Sequence, residues 1–340
     1  MSIRGRARTH FQHVFQGTVL GPPLWNVHFA DVSESIPEGF EEAKFADDLA
    51  CFKEFDQAVP NTDIMSQLEV CQGAVHHWGS LNQVIFDRQK EAFVVIHGID
   101  GEGDDFRQLG TWMDTSLRME TNIKKMVSKA RPKVTALLRS RRYYSTKEMF
   151  HQYKTHVLCI VEVNPGGFYH ALDSVLEPLE RVQSSFVHNM GFSIEEAFLE
   201  HNVAPLAARR DIGMLGLIYK CVHGIAHRDL QELFPRSPPA SHSYKTKFQK
   251  HRHSLQLVES RPGTHNALLR RSLVGLVRVW NRLPEAVVRA NTVSAMQKLL
   301  TSMLRVVCRQ GGEKWQEMFS PRPVILKEAP FFEQILFKAH

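Results

Sequence analysis

Two adjacent carboxylates, Asp47 and Asp48, stand in the segment Phe45-Ala46-Asp47-Asp48, with Lys44-Phe45-Ala46 before them and Leu49-Ala50-Cys51-Phe52 after. Short apolar runs on both sides of an Asp-Asp pair predict a β-hairpin with the carboxylates at its turn. Like charges at such a turn repel one another and favour separate solvation, unless a hard cation sits against them. Mg²⁺ prefers oxygen ligands and is commonly held by one or two carboxylates together with substrate phosphates. Metal-assisted phosphoryl transfer is therefore the chemistry this pair could serve. Most Asp-Asp pairs are plain turn residues, so the reading needs a second witness elsewhere in the chain.

Other groupings fall short. Asp100-Gly101-Glu102-Gly103-Asp104-Asp105 has the carboxylates of a calcium loop, but lacks glycine at its sixth position and has Thr111 at its twelfth. Gly98, Gly101 and Gly103 do not make a phosphate-binding fingerprint between a strand and a helix. Of Cys221, His223 and His227 only the two histidines share a helix face, and a fourth ligand is not in view. His251-Arg252-His253 reads as a polar loop. The five cysteines include no CxxC pair, which supports neither a zinc ribbon nor a disulfide framework and fits a reduced intracellular compartment.

Charge is unevenly spread. The first 115 residues hold 8 Lys and Arg against 18 Asp and Glu, net −10, while the remainder holds 34 against 18, net +16. The densest basic stretch runs through Lys124, Lys125, Lys129, Arg131, Lys133, Arg139, Arg141 and Arg142. An acidic front suited to metal and a basic rear suited to a polyanion would give this split. A solvated helix face would give the same basic stretch. No apolar run is long enough for a membrane span. Arg4, Arg6 and Arg8, with no acid before Asp31, superficially resemble a transit peptide; the expectation is instead a start inside a larger reading frame, with a nuclear or cytoplasmic product.

The elements that must position these groups are mixed at first and then helical. Gly21-Pro22-Pro23 opens a helix towards Val32, and Ile64, Leu68, Cys71, Val75 and Trp78 mark another. Ala92–Ile96 and Phe106–Met113 read as strands. From Leu117 onward the apolar residues recur at helical period, with Pro132 expected to break or kink the first helix. Ser145 with Glu148 and Ser193 with Glu196 are capping-box pairs. Asn164-Pro165-Gly166-Gly167 separates two helices, and Gly191 ends another.

The second witness is the order of the motifs. Gln16-Gly17-Thr18-Val19-Leu20-Gly21-Pro22 precedes the hairpin, and Phe29-Ala30-Asp31 closes the helix between them. This order resembles palm motifs B and C of reverse transcriptases. The continuation beyond the hairpin resembles the enzymes of non-LTR (LINE-like, jockey-like) retrotransposons. Trp78 and Asn82, ahead of a strand with Phe86 and Lys90, are similar to the motif D region. Phe106-Arg107-Gln108-Leu109-Gly110-Thr111-Trp112-Met113-Asp114 is similar to the "LG" strand, and Val279-Trp280-Asn281-Arg282-Leu283-Pro284 to the late WNxLP element. The resemblance covers nearly the whole chain.

The resemblance implies an α+β fold class. A partial palm, an antiparallel sheet with helices, would occupy 1–115 and a helical thumb-like region 116–235. A flexible linker at 236–264 and a helical C-terminal extension at 265–340 would complete the chain. It implies Asp47 as the principal Mg²⁺ ligand with Asp48 beside it, Gln16 and Gly17 against the template–nucleotide pair, and Lys90 near the departing pyrophosphate. The basic helices would grip the primer–template backbone, with an RNA template, a DNA primer and dNTPs as partners.

The chain also departs from the family. The motif A aspartate belongs upstream of motif B, where fifteen residues stand and none is Asp or Glu. The usual GxPQG is His13-Val14-Phe15-Gln16-Gly17 here, and Glu91 follows Lys90 where a small hydroxyl residue is common. The expectation is a remnant of an RNA-directed DNA polymerase that is inactive alone, without the motif A aspartate and the fingers. The alternatives are a nucleic-acid-binding protein derived from the thumb, an inert pseudogene product, and a helical interaction protein whose charge only solubilises it.

Overall fold

Pro22 and Pro23 fall in the first turn of helix α1 (Gly21–His28), where a fixed φ suits the helix and a missing N–H is not needed. The computed structural model describes residues 18–238, 253–259, 266–323 and 325–339. Gln16 and Gly17, the expected template-side residues, lie outside them. The chain divides into two units between Phe106 and Arg107.

In the first unit α1 runs into a tight helical turn, Ala30–Ser35. Strands β1 (Glu41–Phe45) and β2 (Asp48–Phe52) form an antiparallel hairpin in which Phe45 faces Asp48 and Glu41 faces Phe52. The connecting residues are thus Ala46 and Asp47, one position earlier than the expected Asp47-Asp48 turn. Asp48 already belongs to β2. Ala46 takes φ +56, the left-handed conformation that lets a two-residue connection follow the strand twist. Helix α2 (Asn61–Asn82) buries Ile64, Cys71, Val75 and Trp78 on one face, as the spacing predicts. Val75 and Trp78 pack with Phe29 and Val32 into a small core.

Two expected strands are not formed. In Ala92–Ile96 only Val95 pairs, in an isolated antiparallel bridge to Glu102. β-Branched side chains favour extended backbone, but a ladder needs a neighbouring strand to continue it. Gly103, at φ +114, brings its backbone so near Phe93 that an added Cβ would lie 2.5 Å from the carbonyl oxygen. Phe86 and Lys90 are not on a strand either; Lys90 closes a turn through its N–H to the Asp87 carbonyl at 2.9 Å.

The second unit opens on a hairpin rather than the single strand expected over Phe106–Met113. β3 (Phe106–Gln108) and β4 (Thr111–Met113) are joined by Leu109 and Gly110, both at positive φ (+45 and +88). Two consecutive left-handed residues reverse the chain. Helix α3 (Glu120–Ser140) comes next and continues through Pro132 without a break. Helices α4 (Thr146–Tyr153) and α6 (Ile194–His201) each begin with the full capping box expected at Ser145/Glu148 and Ser193/Glu196. Between them lies α5 (Asp173–Asn189), after which Gly191 sits at φ +85. Pro165–Phe168, expected as a separator, forms a short helical turn of its own. The longer helices that follow are α7 (Leu206–Val222), α8 (Val293–Arg309) and α9 (Ala329–Ala339), with short helical turns between α7 and α8.

Its apolar residues form two clusters. One joins α3, α4 and α5 through Ile123, Phe150, Tyr153 and Phe186; the other joins α7, α8 and α9 around Trp280. Helices α6 and α7 feed both: Ala197 and Leu206 belong to the first cluster, Phe198 and Leu215 to the second.

The expected linker at 236–264 is corrected where it is described. Segment 253–259 is docked, with His253 and Leu257 buried. Asn281 clamps it: its Nδ2 donates to the Leu257 carbonyl and its Oδ1 accepts the Leu257 N–H, both at 2.9 Å. Trp280 Nε1 donates to the Leu255 carbonyl at 2.9 Å, and His253 Nε2 lies 3.0 Å from the Trp280 carbonyl. His253 is therefore a packed residue and not part of a polar loop. His251 and Arg252 lie outside the described residues. Asn281→Ala leaves a buried N–H and a buried carbonyl without partners, so urea unfolding is expected to show a loss of about 3 kcal/mol. An unchanged midpoint would mean that the clamp contributes nothing.

Candidate carboxylate hairpin and basic helix face

The hairpin carrying Asp47 and Asp48 is fastened to the α1 region near its turn. At its tip Trp25 Nε1 donates to the Ala46 carbonyl at 2.9 Å. The same indole stacks on Phe29 at 5.2 Å, and Phe29 meets Trp78 edge-on at 5.5 Å. Trp78 in turn donates to Asp31 Oδ1 at 3.2 Å. Two residues back on β1, Lys44 Nζ donates to Ser33 Oγ at 2.6 Å and to the Ala30 carbonyl at 3.2 Å. A chain of aromatic and polar contacts thus runs from α2 through α1 to the carboxylate turn.

Asp47 and Asp48 themselves are exposed. Of the two further acids on the hairpin, Glu41 stands at its open end and Glu42 is engaged elsewhere: one of its oxygens accepts from Ser33 Oγ at 2.5 Å and pairs with Lys44 at 3.0 Å. Among the described residues no cluster of three or more His, Cys, Asp or Glu side chains is placed to hold a metal ion. The donors present are two exposed carboxylates at the turn, with no third placed beside them among the described residues.

Lys90 is not brought to this turn by any hydrogen bond or ion pair among the described residues. Its side chain is 84% exposed and its ammonium lies 3.4 Å from Asp87. Neighbouring Glu91 is held by Gln72 and by His76 Nε2, the latter at 2.9 Å.

The basic residues occupy the second unit. Helix α3 buries Ile123, Met126, Val127, Ala130 and Val134, and the opposite face carries Lys124, Lys125, Lys129, Arg131, Lys133 and Arg139, all exposed, with Arg141 and Arg142 exposed just beyond it. Some are engaged. Lys124 pairs with Glu120 at 3.3 Å, and Lys125 lies 3.9 Å over the Trp112 ring. Arg141 donates to the Asn189 carbonyl at 3.3 Å, and Arg142 donates to the Tyr143 hydroxyl at 2.5 Å. Lys129, Arg131, Lys133 and Arg139 have no ion-pair partner among the described residues. Lys129 and Lys133, one turn apart, place like charges about 6 Å from each other along the axis. Such an array is suited to a run of phosphates.

Sequence reasoning missed the hairpin's anchors, Trp25 and Lys44, and a buried polar network in the second unit. Trp25 sits within an apolar helical run, so nothing in its spacing ties its N–H to a turn 21 residues away. In the network, Tyr169 donates its hydroxyl to Asp211 Oδ1 at 2.5 Å. Arg210 donates to Glu180 at 2.8 Å, and Arg322 donates to the carbonyls of Tyr169 and Ala171 at 2.7 and 3.0 Å. Burial pushes the Asp211 carboxyl up to about 7, against the opposing pull of Tyr169, Arg210 and Arg322. Asp114, by contrast, lies below its ordinary range. Burial acts against its charge, but the N–H groups of Ser116, Arg118 and Met119 and the Ser116 hydroxyl outweigh it. This caps the approach to α3 and is a structural role.

Compared with protein-family models, curated proteins and solved structures, the chain matches none.

Proposed function

We propose that the chain is a piece of a reverse transcriptase of the non-LTR retrotransposon type, incompetent for polymerisation by itself and able to bind nucleic-acid backbone through α3. The reading rests above all on the bond from Trp25 to the Ala46 carbonyl. Sequence order puts one motif just ahead of α1 and another at the carboxylate turn. A palm needs those two to be neighbours, and the indole ties α1 to that turn. The ordered motifs through Val279–Pro284 add to this support.

In this reading Asp47 and Asp48 are two of the carboxylates around a Mg²⁺-dependent transfer of dNTPs to a primer on RNA. The third must come from another strand, and the described residues supply none. The backbone-binding part needs no metal. It rests on exposed cations that stand without acidic partners.

The purified chain, given an RNA template, an annealed DNA primer and dNTPs with Mg²⁺ or Mn²⁺, is expected to extend no primer. Extension above background that disappears in Asp47→Asn would overturn the claim of incompetence and leave the family reading stronger.

A further inference from the structure

Helix α3 ends in a tight helical turn, Arg141–Tyr143, and Tyr144 follows it in extended conformation. Both tyrosines stand in solvent, Tyr143 70% and Tyr144 43% exposed, whereas Tyr153, Tyr169 and Tyr219 are buried. Tyrosine is otherwise a core residue in the second unit, so two adjacent uncovered rings at the end of a basic helix call for an occupant. The turn is held in place by its arginines. Arg142 lies over the Tyr143 ring at 4.7 Å and donates to its hydroxyl at 2.5 Å, while Arg141 ties the turn to the end of α5 through the Asn189 carbonyl at 3.3 Å. The Tyr143 ring is thus oriented by a stacked cation and still largely open. Trp112 offers no such surface, being half-buried and covered by Lys125 at 3.9 Å.

We propose that the ligand of the basic face is a single-stranded nucleic acid whose unpaired bases stack on Tyr143 and Tyr144. This rests on the reading of α3 as a backbone-binding helix and names the form of nucleic acid that helix takes. Lys133 and Arg139 precede Tyr143 by ten and four residues, or about 15 and 6 Å along a helix axis. A strand whose phosphates meet those cations, at roughly 3.4 Å or more per nucleotide, reaches the tyrosine turn within a few nucleotides.

The tyrosines separate single strands from duplexes. In a duplex the faces of the bases are covered by their neighbours, and only the backbone is offered to the protein. An unpaired base has its faces free, and every base has a π-face, so stacking tolerates any sequence. Stacking also releases no counterions. It adds affinity that salt does not remove, whereas the lysines and arginines set the salt slope.

The full chain is titrated by anisotropy with three labelled RNAs of about 12 nucleotides, long enough to span the helix and the turn. They are an oligouridylate, the same strand without its bases, and a duplex of equal length. The parent is expected to bind the oligouridylate about 10-fold more tightly than the abasic strand, with one salt slope for both because their phosphates are the same. Tyr143→Ala combined with Tyr144→Ala is expected to erase that preference and to leave duplex affinity at the parent value. Tyr143→Phe combined with Tyr144→Phe keeps the rings and is expected to restore it. Equal parent affinity for the oligouridylate and the abasic strand overturns the stacking, and leaves the backbone reading standing if both bindings fall with salt. Absence of binding to all three RNAs brings down both. The comparison within the parent needs no variant, so poor folding of the alanine variant does not blunt it.

Discussion

The affinity of this chain for single-stranded RNA is expected to fall about 50-fold between roughly 50 and 200 mM salt, with a log–log slope near −3. The figure rests on four exposed cations without acidic partners, Lys129, Arg131, Lys133 and Arg139, each neutralising one phosphate and releasing its counterions. The combined substitution of all four by Ala is expected to flatten that slope to near zero and to weaken binding at low salt by a similar factor. Lys125 and Lys124 contribute less, because the first is held over Trp112 and the second by Glu120. None of the four lies in the core, so circular dichroism and unfolding midpoints are expected to stay within about 0.5 kcal/mol per site of the parent. Filter binding or anisotropy across a salt series decides the matter. A response to salt that is flat in the parent, or identical in the quadruple variant, leaves the basic face as a solubilising surface.

Asp211→Asn is expected to change how stability depends on pH. The folded carboxyl keeps its proton up to about pH 7, whereas the ordinary value is 3.8. Between those values the folded state binds more protons than the unfolded state, so stability falls as pH rises through the window and levels off above it. From about pH 5 to about pH 8 this one group costs the parent roughly 2–3 kcal/mol, at about 1.4 kcal/mol per pH unit. Asparagine is isosteric with the protonated acid and can still accept from the Tyr169 hydroxyl. It does not ionise. Urea unfolding of both proteins across that range is expected to give curves whose separation grows by this amount in favour of the variant. Parallel curves would mean that Arg210 and Arg322 neutralise the carboxylate in the folded state and that burial is not in control.

What the sequence discloses depends on how local each feature is. The two capping boxes, the proline start of α1 and the apolar stripe of α2 depend on residues within a turn or two of one another, and each is formed as expected. The carboxylate hairpin is formed too, with its turn one position earlier, because Asp48 pairs with Phe45 and leaves Ala46 to adopt the strained φ. Ala92–Ile96 misleads for the opposite reason. Its residues favour extension, but a strand is defined by its neighbour, and only Val95 finds one. Leu109-Gly110 shows how one glycine changes a reading: with both residues left-handed, the expected strand becomes a hairpin.

Long-range placement is the least legible. Nothing near His253 announces that it will be buried beside Trp280, 27 residues on, and the polar composition around it points to a linker. Asp211 reads as one more charge on an amphipathic helix, yet it is among the most buried acids described. Trp25 and Lys44 carry no motif, although they hold the carboxylate turn in place. The candidate site is legible in residue identity and order. The missing upstream aspartate is legible there too; that the turn stands exposed is visible only once its neighbours are placed.

Helices α6 and α7 lend side chains to both apolar clusters of the second unit. Shared in this way, they act as a common wall, and neither cluster can loosen without stripping cover from the other. The basic face and the buried carboxyl are consequently mounted on one cooperative body. Damage around Trp280 should be felt as far away as α3, through loss of the whole body's order and without any dedicated route between them.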